Sequence, residues 1–138
     1  MRLNDQVQAP EADAATCVVL IVEDEALVRM VAVDLLESLG LVAVEASSAG
    51  EAVDRMGEAA PRIQVALIDI GLPDRRGDVL AGELRALDPD LLIIICSGYG
   101  QDVLQESLRD DKRVAFLPKP YGLEHLRDRL QTLGVATS

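Results

Sequence analysis

Asp69 closes the apolar run Val65-Ala-Leu-Ile68 and opens into the turn Ile70-Gly-Leu-Pro73. A carboxylate at such a point either serves a site or bonds its own backbone in the turn, since aspartate does both. Other segments decide between the two. Glu23-Asp24-Glu25 follows the apolar run Cys17-Val-Val-Leu-Ile-Val22. Ser97 follows Leu91-Leu-Ile-Ile-Ile-Cys96, and Lys119 stands between two prolines just past Val114-Ala-Phe-Leu117. Three carboxylates on one edge repel each other, and a hard divalent cation with oxygen ligands relieves that repulsion. Mg²⁺ typically takes one or two carboxylates together with waters and phosphate oxygens. Lys119 and the Ser97 hydroxyl offer the positive charge and the hydrogen-bond donor that the far side of a phosphoryl group needs. Acids on one side and a base on the other describe phosphoryl transfer.

The elements that hold these residues can be read from hydrophobic period. Short continuous apolar runs bounded by turn residues predict strands buried on both faces, as in a parallel sheet. Their last residues then emerge at the carboxyl edge, where open α/β folds put ligands. A shorter strand is expected over 41–44. Between the strands the period changes to helical. Val28, Val31, Ala32, Leu35, Leu36 and Leu39 form one stripe that Gly40 closes. A second helix is expected to about Met56, capped by Ser47 or Ser48 with Glu51 completing a capping box, and to bury Ala49, Ala52, Val53 and Met56. A third runs over 78–87, with Val79, Leu80 and Leu84 inward, until Asp88-Pro89 stops it. A short fourth over 101–109 has only Val103, Leu104 and Leu108 to bury, and the last carries Leu123, Leu126, Leu130 and Leu133. Five strands alternating with five helices predict one α/β domain with a parallel sheet and right-handed crossovers.

Composition narrows the function. At 138 residues the chain makes one domain with a real core. Residues 1–15 lack periodicity and read as a flexible tail, 16–134 as the domain, and 135–138 as a short C-terminal tail. A net charge of -11 argues against nucleic acid or an anionic membrane as partner, because phosphate backbones call for a basic face. No apolar run approaches the ~18 residues of a membrane span, and the N-terminus has no secretory h-region. A cytoplasmic protein is expected. Cys17 and Cys96 each sit inside an apolar run and read as buried small residues in a reducing compartment. His125, the one histidine, lies on the polar side of the last helix and receives no phosphotransfer role.

Val22-Glu-Asp-Glu25, Asp69-Ile-Gly-Leu-Pro73, Ser97-Gly98 and Lys119-Pro120, in this order at the strand ends, resemble the receiver domain of two-component response regulators. The resemblance covers the chain from about Cys17 to Leu133. It implies a flavodoxin-like, doubly wound five-stranded sheet of order 2-1-3-4-5. It also implies that Asp69 is the phosphoacceptor and that Asp24, Asp69 and the Gly71 carbonyl hold Mg²⁺, with Glu23 acting through a metal-bound water. Ser97 would bond the phosphoryl group, Lys119 would pair with it, and Phe116 would be the aromatic switch partner of Ser97. The Lys119–Pro120 bond is expected to be cis. Departures from the usual pattern are Glu23 for the commoner Asp, the bare Gly71, and Arg75-Arg76 before Gly77. Tyr99 after Ser97-Gly98 resembles a subgroup of single-domain and hybrid-kinase receivers.

The expectation is a stand-alone response regulator phosphorylated on Asp69 by a histidine kinase or a histidine phosphotransfer protein. It is not an enzyme beyond self-catalysed phosphorylation and dephosphorylation. Output would pass to an unknown protein through the face made by the 101–109 helix, the fifth strand and the last helix, or phosphate would simply be drained from a kinase. The chain would be a monomer or a phosphorylation-dependent dimer. A small aspartate-nucleophile phosphatase of the haloacid-dehalogenase type needs a second acid two residues past the nucleophile, where this chain has Gly71. A phosphorylation-independent pseudo-receiver would be expected to lose one of the acids, and none is missing.

Overall fold

Strands that are apolar on both sides need helices over both faces, and the fold supplies them. The computed structural model describes residues 16–98, 108 and 110–138. Strands β1 (Val18–Val22), β2 (Val42–Ala46), β3 (Val65–Asp69), β4 (Leu92–Ser97) and β5 (Val114–Pro118) pair in parallel in the order β2-β1-β3-β4-β5. The sheet is the flavodoxin-like one that the resemblance implies. The described helices are α1 (Ala26–Ser38), α2 (Ala49–Met56), α3 (Gly77–Leu87) and α4 (Leu123–Thr132). The helix expected over 101–109 and the tail 1–15 fall outside the described residues, except Leu108, which is helical and buried.

Alternation along the strands sorts the core into two layers. Leu20, Val22, Ile68, Ile93 and Ile95 point to the layer of α2 and α3. Val19, Ile21, Leu67, Ile94, Cys96 and Leu117 point to the layer of α1 and α4. Helices α1 and α4 end alike. Gly40 and Gly134 have φ of 81° and 92°, a region that costs glycine nothing. Each follows the last helical turn, with amide bonds from Gly40 to Glu37 and Leu41 to Leu36, and from Gly134 to Gln131 and Val135 to Leu130. These are Schellman closures. The second one carries Val135 into the core, and the Ser138 amide donates to the Leu39 carbonyl at 2.8 Å, so the C-terminal tail is fastened to the end of α1.

Three expectations need correction. Val31 and Val79 face outward, at 56% and 41% exposure, while Ala81 takes the inward place beside Leu80 and Leu84. Both valines lie at the margin of their helix's stripe, where one residue is 100° of rotation and sequence spacing alone cannot fix the side. Strand β2 extends to Ala46, because the Glu23 amide donates to the Ala46 carbonyl at 3.1 Å and prolongs the ladder past β1. Helix α3 begins at Gly77, one residue early, with Arg76 as its extended N-cap.

Candidate functional site

Glu23, Asp69 and Lys119 each stand two residues beyond a side chain in the α1–α4 layer: Ile21, Leu67 and Leu117. Strand alternation therefore carries all three to the same side of the carboxyl edge. The fold converts three unrelated sequence positions into one cluster. Lys119 Nζ lies 2.9 Å from Glu23 Oε1 and 3.4 Å from Asp69 Oδ1. The Lys119 amide is itself fixed, donating to the Ser97 carbonyl at 2.9 Å, and the Lys119–Pro120 peptide is cis. Carboxylate oxygens of Glu23, Asp24 and Asp69 all lie within 4.8 Å of one another.

Glu23 is buried, Asp69 half-buried and Asp24 exposed. Burial pushes the Glu23 carboxyl above its ordinary value, and the hydrogen bond from Lys119 only partly offsets that. For Lys119, burial works to lower the ammonium, but the bond to Glu23 and the charge of Asp69 outweigh it and hold it above the ordinary lysine value. Both groups shift upward for different reasons: one carboxylate loses water, while one ammonium gains two carboxylates. The repulsion expected among the acids is thus partly met by the chain's own cation. An all-oxygen donor set of three acids with an exposed member suits a hard cation such as Mg²⁺.

Ser97 ends β4 and is buried; it stands two residues past Ile95, so alternation turns it toward the α2–α3 layer. Phe116 is Cα partner to Ile95, half-buried, and packs on that same layer. Ser97 pairs with Pro118, which makes Phe116 its diagonal neighbour on one face of the sheet. Gly71 is exposed, and its amide donates to Asp69 Oδ1 at 3.3 Å. Tyr99 lies outside the described residues. Cys96, the Cα partner of Asp69, is a free thiol that burial pushes up to about 12, and Cys17 is likewise free and raised by burial. Neither is poised to react.

Four features escaped the sequence reading. Gly77 packs so tightly that a Cβ there would run into the backbone of Asp69 and Ile70, 2.8 Å from Ile70 Cα. Its amide closes the loop onto the Ile70 carbonyl at 2.9 Å. Asp74 caps α2 from the loop that precedes α3: its two carboxylate oxygens accept from the amides of Ala49 and Gly50, each at 2.9 Å. Those two bonds hold its carboxyl below the usual aspartate value. Leu27, Met30 and Val31 leave an apolar surface on α1, at 75%, 57% and 56% exposure. Beside them an open groove of about 410 Å³ is lined by Val28, Val31, Ala32, Lys119, Pro120 and Tyr121. Leu27 and Met30 lie off the inward stripe, which was the available signal for that surface. Nothing local to Asp74 pointed to a partner 25 residues earlier.

Comparison with known proteins is consistent with this arrangement. The family profile of the response regulator receiver domain matches residues 19–131. Sensor kinase CckA of Brucella abortus (strain 2308) is 38% identical over 113 residues, which is 82% of this chain and 12% of that kinase. The chain therefore spans only a small part of that relative. Chemotaxis protein CheY of Thermotoga maritima is 34% identical over 104 residues, covering 75% of this chain and 85% of CheY. Among solved structures, a receiver domain (CheY-like) from Methylobacillus flagellatus superimposes with a TM-score of 0.74 at 29% identity, over 86% of this chain and 98% of the other.

Proposed function

Because the chain belongs to the response regulator receiver domain family, we propose that it takes a phosphoryl group onto Asp69 from a phosphohistidine on a histidine kinase or histidine phosphotransfer protein. The observation that carries the reading is the convergence of Lys119 Nζ, Glu23 and Asp24 on the Asp69 carboxylate. Lys119 Nζ and the Gly71 amide both lie against Asp69 Oδ1. Oδ2 is then the attacking oxygen. Its bond to phosphorus forms as the phosphorus–nitrogen bond breaks, and the electron pair leaves with the imidazole. Lys119 stays charged at neutral pH and balances charge on the transferring group. Asp24, Asp69 and the Gly71 carbonyl would hold Mg²⁺, with Glu23 reaching it through water; the ion supplies further charge neutralisation when bound. Ser97 is assigned to the phosphoryl oxygens and Phe116 to the response beneath it.

Access of the donor is supported by the groove on α1, since Lys119 both lines it and bonds Asp69. The exposed Leu27, Met30 and Val31 give a partner helix an apolar seat beside the acceptor. The match to most of CheY's length supports a whole receiver domain in the chain. Output through β5, α4 and the 101–109 segment, or draining of phosphate, follows on this reading. Incubation with Mg²⁺ and acetyl phosphate should add one phosphoryl mass to the intact protein, and Asp69→Asn should add none. Equal labelling of the variant would overturn the assignment.

A further inference from the structure

The candidate metal ligands come from two places: Glu23 and Asp24 sit in the loop between β1 and α1, while Asp69 ends β3 and Gly71 lies in the loop from β3 to α3. The strands that these loops leave, β1 and β3, pair directly. A third segment, at the end of β2 and the start of α2, is bonded to both loops. The Glu23 amide donates to the Ala46 carbonyl at 3.1 Å, which ties the first acidic loop to the end of β2. Three residues on, the amides of Ala49 and Gly50 donate to Asp74 at 2.9 Å each, which ties the second loop to the start of α2. Residues 46–50 thus bridge the two halves of the site, and Asp74 is the side chain that completes the bridge.

A helix start already has a local cap here. Ser48 Oγ accepts from the Glu51 amide at 3.1 Å, so Ser48 serves the third amide and leaves the first two open. Asp74 takes both with one carboxylate, and a charged acceptor at a helix N-terminus is stronger than a neutral one. The loop that carries Asp74 is otherwise fastened by Leu72 in the core, by the Gly77–Ile70 bond, by the Gly71 amide on Asp69 Oδ1 and by the Arg75–Glu83 ion pair. Gly71, beside Leu72, is exposed.

We propose that Asp74 is a positioning residue: by holding the β3–α3 loop against the N-terminus of α2, it sets the placement of Gly71 relative to Asp24 and so the affinity of the site for Mg²⁺. The proposal rests on the metal reading above, and its test separates the two. Ser48→Ala is the internal control, because it uncaps the same helix without releasing the loop.

Mg²⁺ binding to the wild-type chain, Asp74→Ala, Asp74→Asn and Ser48→Ala is measured by calorimetric titration, alongside amide exchange of Gly71 and Leu72 without metal. Asp74→Ala should bind Mg²⁺ about three- to tenfold more weakly and exchange faster at Gly71 and Leu72. Asp74→Asn, which keeps one acceptor, should fall between. Ser48→Ala should lower the melting temperature yet leave Mg²⁺ affinity and Gly71 exchange at the wild-type values. Equal exchange at Gly71 in Asp74→Ala and wild type overturns the latch whatever the metal does. So does equal loss of affinity in Ser48→Ala and Asp74→Ala. A wild-type chain that binds no Mg²⁺, with exchange at Gly71 still faster in Asp74→Ala, would sink the metal reading and the affinity claim while leaving the loop contact standing.

Discussion

The helices on either side of β1 start in opposite ways. Helix α2 has its first three amides satisfied by side chains, two by Asp74 and one by Ser48, and Glu51 accepts from the Ser47 hydroxyl at 3.0 Å. Helix α1 starts at Ala26, and its N-cap Glu25 makes no side-chain cap bond, its own amide donating to Glu23 Oε2 at 3.2 Å. Its exposed surface carries Leu27, Met30 and Val31, whereas the larger apolar residues of α2, Val53 and Met56, pack toward the core. Both helices border the same carboxyl edge. The contrast teaches a division of labour: the α2 side is braced so that the acids keep their spacing, and the α1 side is left open and apolar beside Lys119 and Asp69.

The braced side should break hardest. Gly77→Ala puts a Cβ into the backbone of Asp69 and Ile70, atoms that cannot swing aside as a flexible side chain would. It should cost about 3 kcal/mol in urea unfolding; a loss under ~0.5 kcal/mol would show that α3 can shift freely. The open side should break differently. Leu27→Glu combined with Met30→Glu should leave stability within about 0.5 kcal/mol, since both side chains are mostly exposed. Transfer from a phosphohistidine protein should fall about tenfold, equivalent to about 1.4 kcal/mol. Labelling by acetyl phosphate should not change; a parallel fall with both donors would show damage to the site instead of a lost docking surface. The smallest effect sharpens the comparison at the caps themselves. Ser48→Ala should cost about 1 kcal/mol and Glu25→Ala only a few tenths, because only Ser48 caps its helix through its side chain. Equal costs would erase the asymmetry.

Much of this was legible in the chain because strands buried on both faces leave a strong signal. Runs such as Val65-Ala-Leu-Ile68 located the carboxyl edge, and the order of Glu23, Asp24, Asp69, Ser97 and Lys119 along it carried the site. Ser48 was legible because an N-cap is local, although Glu51 returns to the Ser47 amide and hydroxyl and so closes the box one residue early. Asp74 was not, because its partners are 25 and 24 residues away and only the folded sheet brings them together. Gly77 looked like one more loop glycine; its role comes from how closely α3 crosses the end of β3. Val31 and Val79 sat where helical period is least informative, at the stripe's edge. On the open apolar face of α1 only Val31 reads as inward in the sequence; Leu27 and Met30 lie off the stripe, and an apolar residue need not be buried.

Whether the Asp69 carboxylate takes the phosphoryl group can be read by trapping the acyl phosphate. The chain is incubated with Mg²⁺ and acetyl phosphate, reduced with borohydride, digested, and mapped by tandem mass spectrometry. Conversion of the Asp69 side chain to a primary alcohol is expected, with Asp24 and Glu23 unchanged. Reduction at Asp24 or Glu23 with Asp69 intact, or a phosphoryl mass retained on Ser97 after reduction, would contradict it.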